Sequence, residues 1–144
     1  EMADELGRIA EYFEGPADEA GLRFDVQASG TARVNAALCR RALHNLVANA
    51  VRYSTPGTVV RLSGRHGDAM STIAVENEGM PIPPGQMERL FDRFYRADAV
   101  HARPAESSGL GLAIVKAIMD LHGGEVTASS SATGTIRFEL RFHH

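Results

Sequence analysis

The sequence predicts an α+β fold: a two-layer α/β sandwich with a mixed, mostly antiparallel sheet and its helices on one face. Three observations lead there. Apolar residues switch between helical and two-residue spacing along the chain, without repeats or low-complexity tracts. Strand-like segments outnumber helical ones, and several are joined by short turns, as antiparallel neighbours are. The length suits one domain with a sizeable core.

The elements follow in order. Met2, Leu6, Ile9 and Phe13 share one face of a first helix over residues 2–14, which Gly15-Pro16 should stop. Residues 22–26 alternate as a strand, and Arg33-Val34 suggests a short second one. A long helix over 36–53 buries Leu43, Leu46, Val47 and Ala50 and ends at Ser54-Thr55-Pro56-Gly57. Residues 58–65 and 70–76 pair as antiparallel strands across His66-Gly67-Asp68. A loop with Pro81, Pro83 and Pro84 leads to a short helix over Gln86–Phe91. Residues 95–108 are polar and aperiodic. A Gly-rich run then opens a helix with Ala113, Ile114, Ala117, Ile118 and Leu121 on one face, followed by strands near 124–130 and 134–142.

Composition excludes several classes of function. The net charge is −3 and no basic tract occurs, which argues against nucleic acid as a partner. No stretch reaches the roughly 20 apolar residues needed to span a bilayer. The single Cys39 cannot form an internal disulfide, and its place in an apolar helix points to packing. The chain opens within a helical pattern, so it is expected to be one domain, 1–144, of a longer protein.

Three segments carry chemistry. In Ser107-Ser108-Gly109-Leu110-Gly111-Leu112, glycines let backbone N–H groups approach an anion at a helix N-terminus, the arrangement of a phosphate seat; a Gly loop that merely caps a core helix has the same pattern. Asn45 and Asn49 lie one turn apart on the long helix, off its apolar stripe, and Tyr53 continues their row. They form either a solvated face or a pair of neutral oxygen donors for Mg²⁺, which keeps waters and relies on phosphates for its other ligands. Arg52 adds charge beside them. Asn77, before Gly79, can offer an amide to a base edge or simply occupy a turn in which Gly79 adopts a conformation closed to other residues. No G-x-x-x-x-G-K-[ST] is present, and Ile114 replaces the third glycine of a dinucleotide fingerprint.

Over about residues 20–142 the chain resembles the catalytic and ATP-binding domain of bacterial sensor histidine kinases, with their Bergerat fold. Leu43-His44-Asn45-Leu46-Val47-Ala48-Asn49-Ala50-Val51-Arg52-Tyr53-Ser54 is similar to the N box, which implies Asn49 as Mg²⁺ ligand with Asn45 assisting and Arg52 beside the phosphates. Asn77 to Pro83 resembles the first glycine box, Leu90–Arg96 the F box, Ser107–Leu112 the second glycine box, and Gly134-Thr135 the third. The resemblance implies a nucleotide site built from Tyr53, Asn77, Gly79, Ile82, Phe91, Arg96, Ser108, Gly109, Leu110, Gly111, Leu112 and Thr135 as well as Asn49 and Arg52, with residues 95–108 as the ATP lid. Residues 1–20 would lead in from a dimerisation domain. The Glu-Asn-x-Gly-x-Pro-Ile-Pro form, with Leu-Phe-Asp-Arg-Phe-Tyr-Arg, resembles the heavy-metal (copper or silver) sensor branch.

Three positions depart from the family pattern: Asn77 for the adenine-binding Asp, Pro81 for a glycine, and Ser107 for a glycine. An amide at 77 predicts weaker ATP-over-GTP discrimination. Related ATPases carry a Glu where Asn45 stands, and an Asn cannot act as a general base, so hydrolysis is disfavoured as the main activity. Phosphoryl transfer needs positioning and charge neutralisation, which Mg²⁺ at Asn49 with Arg52 and Arg96 supplies. His44, His66, His101 and His122 lack the acidic residue that follows the family's phosphorylated His. The expected reading is therefore an ATP-binding kinase domain that donates the γ-phosphate to a His on an upstream dimerisation domain. A cognate response regulator would be its partner, and the domain itself would be monomeric, on the cytoplasmic side of an inner-membrane sensor. The alternative is a non-catalytic ATP-sensing or interaction module, favoured by Pro81 and Ser107.

Overall fold

The computed structural model describes residues 2–32, 34–87, 89–92 and 111–143. Within them run α1 (Met2–Tyr12), α2 (Glu14–Glu19), β1 (Arg23–Ala28), α3 (Ala36–Tyr53), β2 (Val59–His66), β3 (Met70–Glu78), α4 (Pro84–Met87), α5 (Gly111–Leu121), β4 (Glu125–Ser130) and β5 (Thr135–His143). The strands form one sheet in the order β1-β2-β3-β5-β4. β1 and β2 are parallel, a pairing that requires a crossover, and α3 supplies it. The other pairings are antiparallel, with Leu62 opposite Val75, Val75 opposite Phe138, and Phe138 opposite Ala128. The expected two-layer sandwich is therefore present.

Alternation along β5 divides the two faces. Ile136, Phe138, Leu140 and Phe142 are buried in one core with Leu6 and Ile9 of α1, Leu43, Leu46 and Val47 of α3, and Val115 and Met119 of α5. Each such side chain contributes about 1.5–3 kcal/mol by leaving water. Arg137, Glu139 and Arg141 point to the opposite, open face, where Arg137 meets Glu76 at 2.6 Å and Glu139 at 3.1 Å, and Arg141 meets Glu139 at 2.9 Å. Burial pushes the Glu139 carboxyl up, but hydrogen bonds from Arg141 and Arg137 outweigh it and leave the group below its ordinary range.

α3 forms over the residues its pattern indicates. Asn35 caps it by accepting the Leu38 N–H at 3.0 Å, and Leu43, Leu46, Val47 and Ala50 are buried as expected. Cys39 also packs inside; burial, helped by the charge of Glu5, pushes its thiol up to about 11.

Four expectations are corrected. Pro16 does not stop the first helical segment but lies in the first turn of α2, where no intrahelical partner is needed for its missing N–H; the break falls at Phe13. No strand forms at Val34, because the chain there is turning into the Asn35 cap; Arg33 lies outside the described residues. The helix expected over Gln86–Phe91 is instead α4, and Arg89 to Asp92 continue as turns while Leu90 enters the core. On α5 the buried row is Val115, Ile118 and Met119, whereas Ala117 and Leu121 face solvent. Residues 112–115 are apolar on every side, so periodicity did not mark the face that meets the sheet.

Candidate functional site

α3 organises the site. Asn45, Asn49 and Tyr53 are spaced by four residues, so they form one row spanning about 12 Å of helix axis. At one end of the row, Asn45 Nδ2 donates to the Gly111 carbonyl at 3.3 Å and ties α3 to the first turn of α5. At the other end, the chain after Tyr53 meets the end of β3: Ser54 bridges to Gly79, and the Thr55 N–H donates to the Glu78 carbonyl at 2.8 Å. Asn49 stands between them, half-buried.

Gly79 is needed for space rather than for φ, which corrects the expected reason: a Cβ there would collide with the Tyr53 carbonyl, and its φ is not positive. Its N–H donates at 2.8 Å to the carbonyl of Gly134, a residue with φ +94° whose own Cβ would overlap the Gly79 carbonyl. The following loop is held at Ile82, whose N–H donates to Ser130 Oγ at 2.9 Å. Sequence reasoning missed Ser130, since nothing in the run Ser129-Ser130-Ser131 distinguishes it.

Asn77 is the most informative side chain. It lies in β3 opposite Ile136, so it faces the helices, and it is only 3% exposed. Its Nδ2 is buried without a hydrogen-bond partner, and is the one such side-chain atom among the described residues. An unmet buried donor costs about 1–3 kcal/mol, so a polar group kept here calls for a ligand. The Nδ2 lies beside the Gly79 Cα, at the Tyr53 end of the row.

The structure brings together Asn45 with Gly111, and Tyr53 with Asn77 and Gly79. Arg52, in the last turn of α3, is exposed and makes no ion pair with another described residue. Ile82 and Leu112 pack against the core, and Phe91 meets Phe138 edge-on with centroids 6.1 Å apart, also core packing. Thr135 stands apart: its hydroxyl donates to Glu78 at 3.0 Å, and the strand's alternation puts it on the open face, away from Asn77. Arg96, Ser108, Gly109 and Leu110, with the expected lid at 95–108, lie outside the described residues. His44 packs against Tyr12 and Phe13, with centroids at 4.8 and 5.5 Å.

The donor set fits a hard cation held with phosphate oxygens. Among the described residues no cluster of three His, Cys, Asp or Glu is present. Asn45 spends one amide N–H on Gly111, which leaves its Oδ1 as an acceptor one helical turn from Asn49.

A family described as histidine kinase-, DNA gyrase B- and HSP90-like ATPase matches residues 34–144. The chain belongs to this ATPase family. Among its relatives, the sensor histidine kinase CusS of Escherichia coli K12 is 42% identical over 139 residues, which cover 93% of this chain and 28% of CusS. The sensor protein CzcS of Cupriavidus metallidurans is 40% identical, over 96% of this chain and 29% of CzcS. These relatives bear out the heavy-metal branch read from the glycine and F boxes. The chain spans less than a third of the length of either. The mycobacterial sensor histidine kinase MprB shares the fold at a TM-score of 0.86 and 24% identity, over 99% of this chain and 95% of that one. Full-length ShkA, solved in complex with AMPPNP, does so at 0.84 and 23%, over 99% of this chain and 30% of ShkA. Among the described residues of this family member, no helix is long and apolar enough to cross a membrane.

Proposed function

We propose that this chain is the ATP-binding catalytic domain of a sensor histidine kinase, which donates the γ-phosphate of ATP to a histidine on a separate dimerisation domain. The observation that carries the reading is the buried, unpartnered amide of Asn77 at one end of the Asn45–Asn49–Tyr53 row, with the start of α5 at the other. Asn77 meets the base edge, and the segment entering α5 receives the phosphates at a helix N-terminus. The AMPPNP complex of ShkA, which shares this fold, supports a nucleotide ligand.

Asn49, assisted by Asn45, would hold Mg²⁺, which neutralises phosphate charge in the transition state. Asn45 fixes α5 relative to α3 through the Gly111 carbonyl and so sets where the phosphate end of the site lies. Arg52 is exposed and unpaired among the described residues, so its charge is available to the phosphates. With an amide at Asn45, no side chain at that position can take a proton from water, which favours transfer to a histidine over hydrolysis. The heavy-metal sensor kinases among the relatives point to an acceptor domain and a response regulator as partners, and to a place on the cytoplasmic side of the inner membrane.

Calorimetric titration with ATP, with and without Mg²⁺, tests the reading. Mg²⁺ should tighten binding, and Asn49→Ala should remove most of that gain. Transfer is then tested by adding the dimerisation domain; binding without transfer would favour the ATP-sensing module instead.

A further inference from the structure

We infer that Asn77 makes the base pocket tolerant of both purines, so that the site takes GTP as well as ATP. The inference rests on the nucleotide reading above and adds what the pocket selects. A carboxamide presents one acceptor and one donor, and half a turn about its last bond exchanges them. Adenine shows an exocyclic N–H₂ donor beside a ring-nitrogen acceptor, while guanine shows a carbonyl acceptor beside a ring N–H donor. One orientation of the amide therefore fits adenine and the reverse orientation fits guanine.

The structure leaves that choice to the ligand. Nδ2 of Asn77 is buried and unpartnered, and no described residue holds the amide in either orientation. It lies 3.4 Å from where a Gly79 Cβ would stand, so the glycine keeps a side chain from pressing on the amide. Strong discrimination, of order 10⁴ or more, arises when the wrong ligand leaves a fixed buried polar group unpaired. An amide free to rotate leaves nothing unpaired with either base. Ile136, opposite Asn77 in the sheet, is apolar and makes no hydrogen bond to either base edge.

Competitive calorimetry on the 144-residue chain, with Mg²⁺-ATP and Mg²⁺-GTP, tests the inference. The expected result is dissociation constants within about tenfold of one another. Asn77→Asp offers acceptors only, so a guanine carbonyl in the same pose meets a carboxylate; the GTP/ATP ratio should widen at least about tenfold. A melting curve checks that the variant is folded; Asn77→Leu, isosteric and apolar, should weaken both nucleotides alike. ATP binding with GTP more than about tenfold weaker overturns the inference while leaving the ATP site intact. Binding of neither nucleotide overturns both readings. Equal affinities that Asn77→Asp does not change would remove Asn77 as the determinant.

Discussion

The backbone N–H of Asn35 donates to Nε2 of His122 at 3.0 Å, joining residues 87 apart in sequence. Because Nε2 accepts, Nδ1 carries the proton and donates to the Ile118 carbonyl at 2.8 Å. The same ring stands edge-on to Phe142, with centroids 5.5 Å apart. One imidazole thus ties the end of α5 to the cap of α3 and to the sheet.

His122→Phe keeps the ring contact and removes both hydrogen bonds. It should lower unfolding stability by about 1–2 kcal/mol. Amide exchange at the start of α3 should speed up more than exchange in β3. Unchanged exchange at Leu38 and Cys39 would show that the tie does not hold the helix start.

Gly134→Ala combines an unfavourable φ of +94° with an overlap on the Gly79 carbonyl. Gly57, at φ +87°, has open space around it and serves as the control. Both alanine variants should lose about 1 kcal/mol to backbone strain. Only Gly134→Ala should lose substantially more and also weaken ATP binding, since Gly79 must move. Equal melting shifts for the two would refute the close approach of Gly134 and Gly79.

The Cys39 thiol, pushed to about 11 and buried, should resist modification. At pH 8 a colorimetric disulfide reagent should react slowly with the native chain and within seconds to minutes once denaturant is added. Rapid native labelling would mean that α3 opens readily near its start.

Glu139 gives the pH dependence. Its carboxyl is lower in the folded chain than unfolded, so its contribution to stability is complete above the ordinary carboxylate range and is lost as pH falls through the folded value. Stability should therefore decline below about pH 4.5. Glu139→Gln should flatten that decline, leaving Arg137 its bond to Glu76. An identical acid limb in the variant would assign the loss to other carboxylates.

How much of this was legible in the sequence depends on how many faces each element buries. α3 has an apolar stripe and a separate polar row, and its ends, buried residues and Asn45–Asn49–Tyr53 alignment all follow from spacing. α5 is apolar on several sides through its first turns, so only the packing against β5 decides that Val115 and Met119 turn inward. Pro16 reads as a stop because the rule concerns helix interiors, whereas Phe13 had already opened a new first turn. Asn77 was visible as a candidate, but its unmet amide depends on what surrounds it. Ser130 acts through a contact 48 residues away, to Ile82, of which local pattern carries no trace; Gly134 is marked by motif, but its contact with Gly79, 55 residues away, is not. Thr135 was placed by motif, while strand alternation gives its hydroxyl to Glu78.

The strand order has a consequence for synthesis. β5, made after β4, takes its place between β3 and β4, with ladders to both. Until Thr135–His143 has left the ribosome, β4 has no neighbour in the sheet and β3 presents an open edge. The nascent domain is thus held incomplete through most of its translation, and the Gly134 carbonyl that receives the Gly79 N–H arrives at the same late moment. Assembly of the Gly79 end of the site and closure of the sheet become one event.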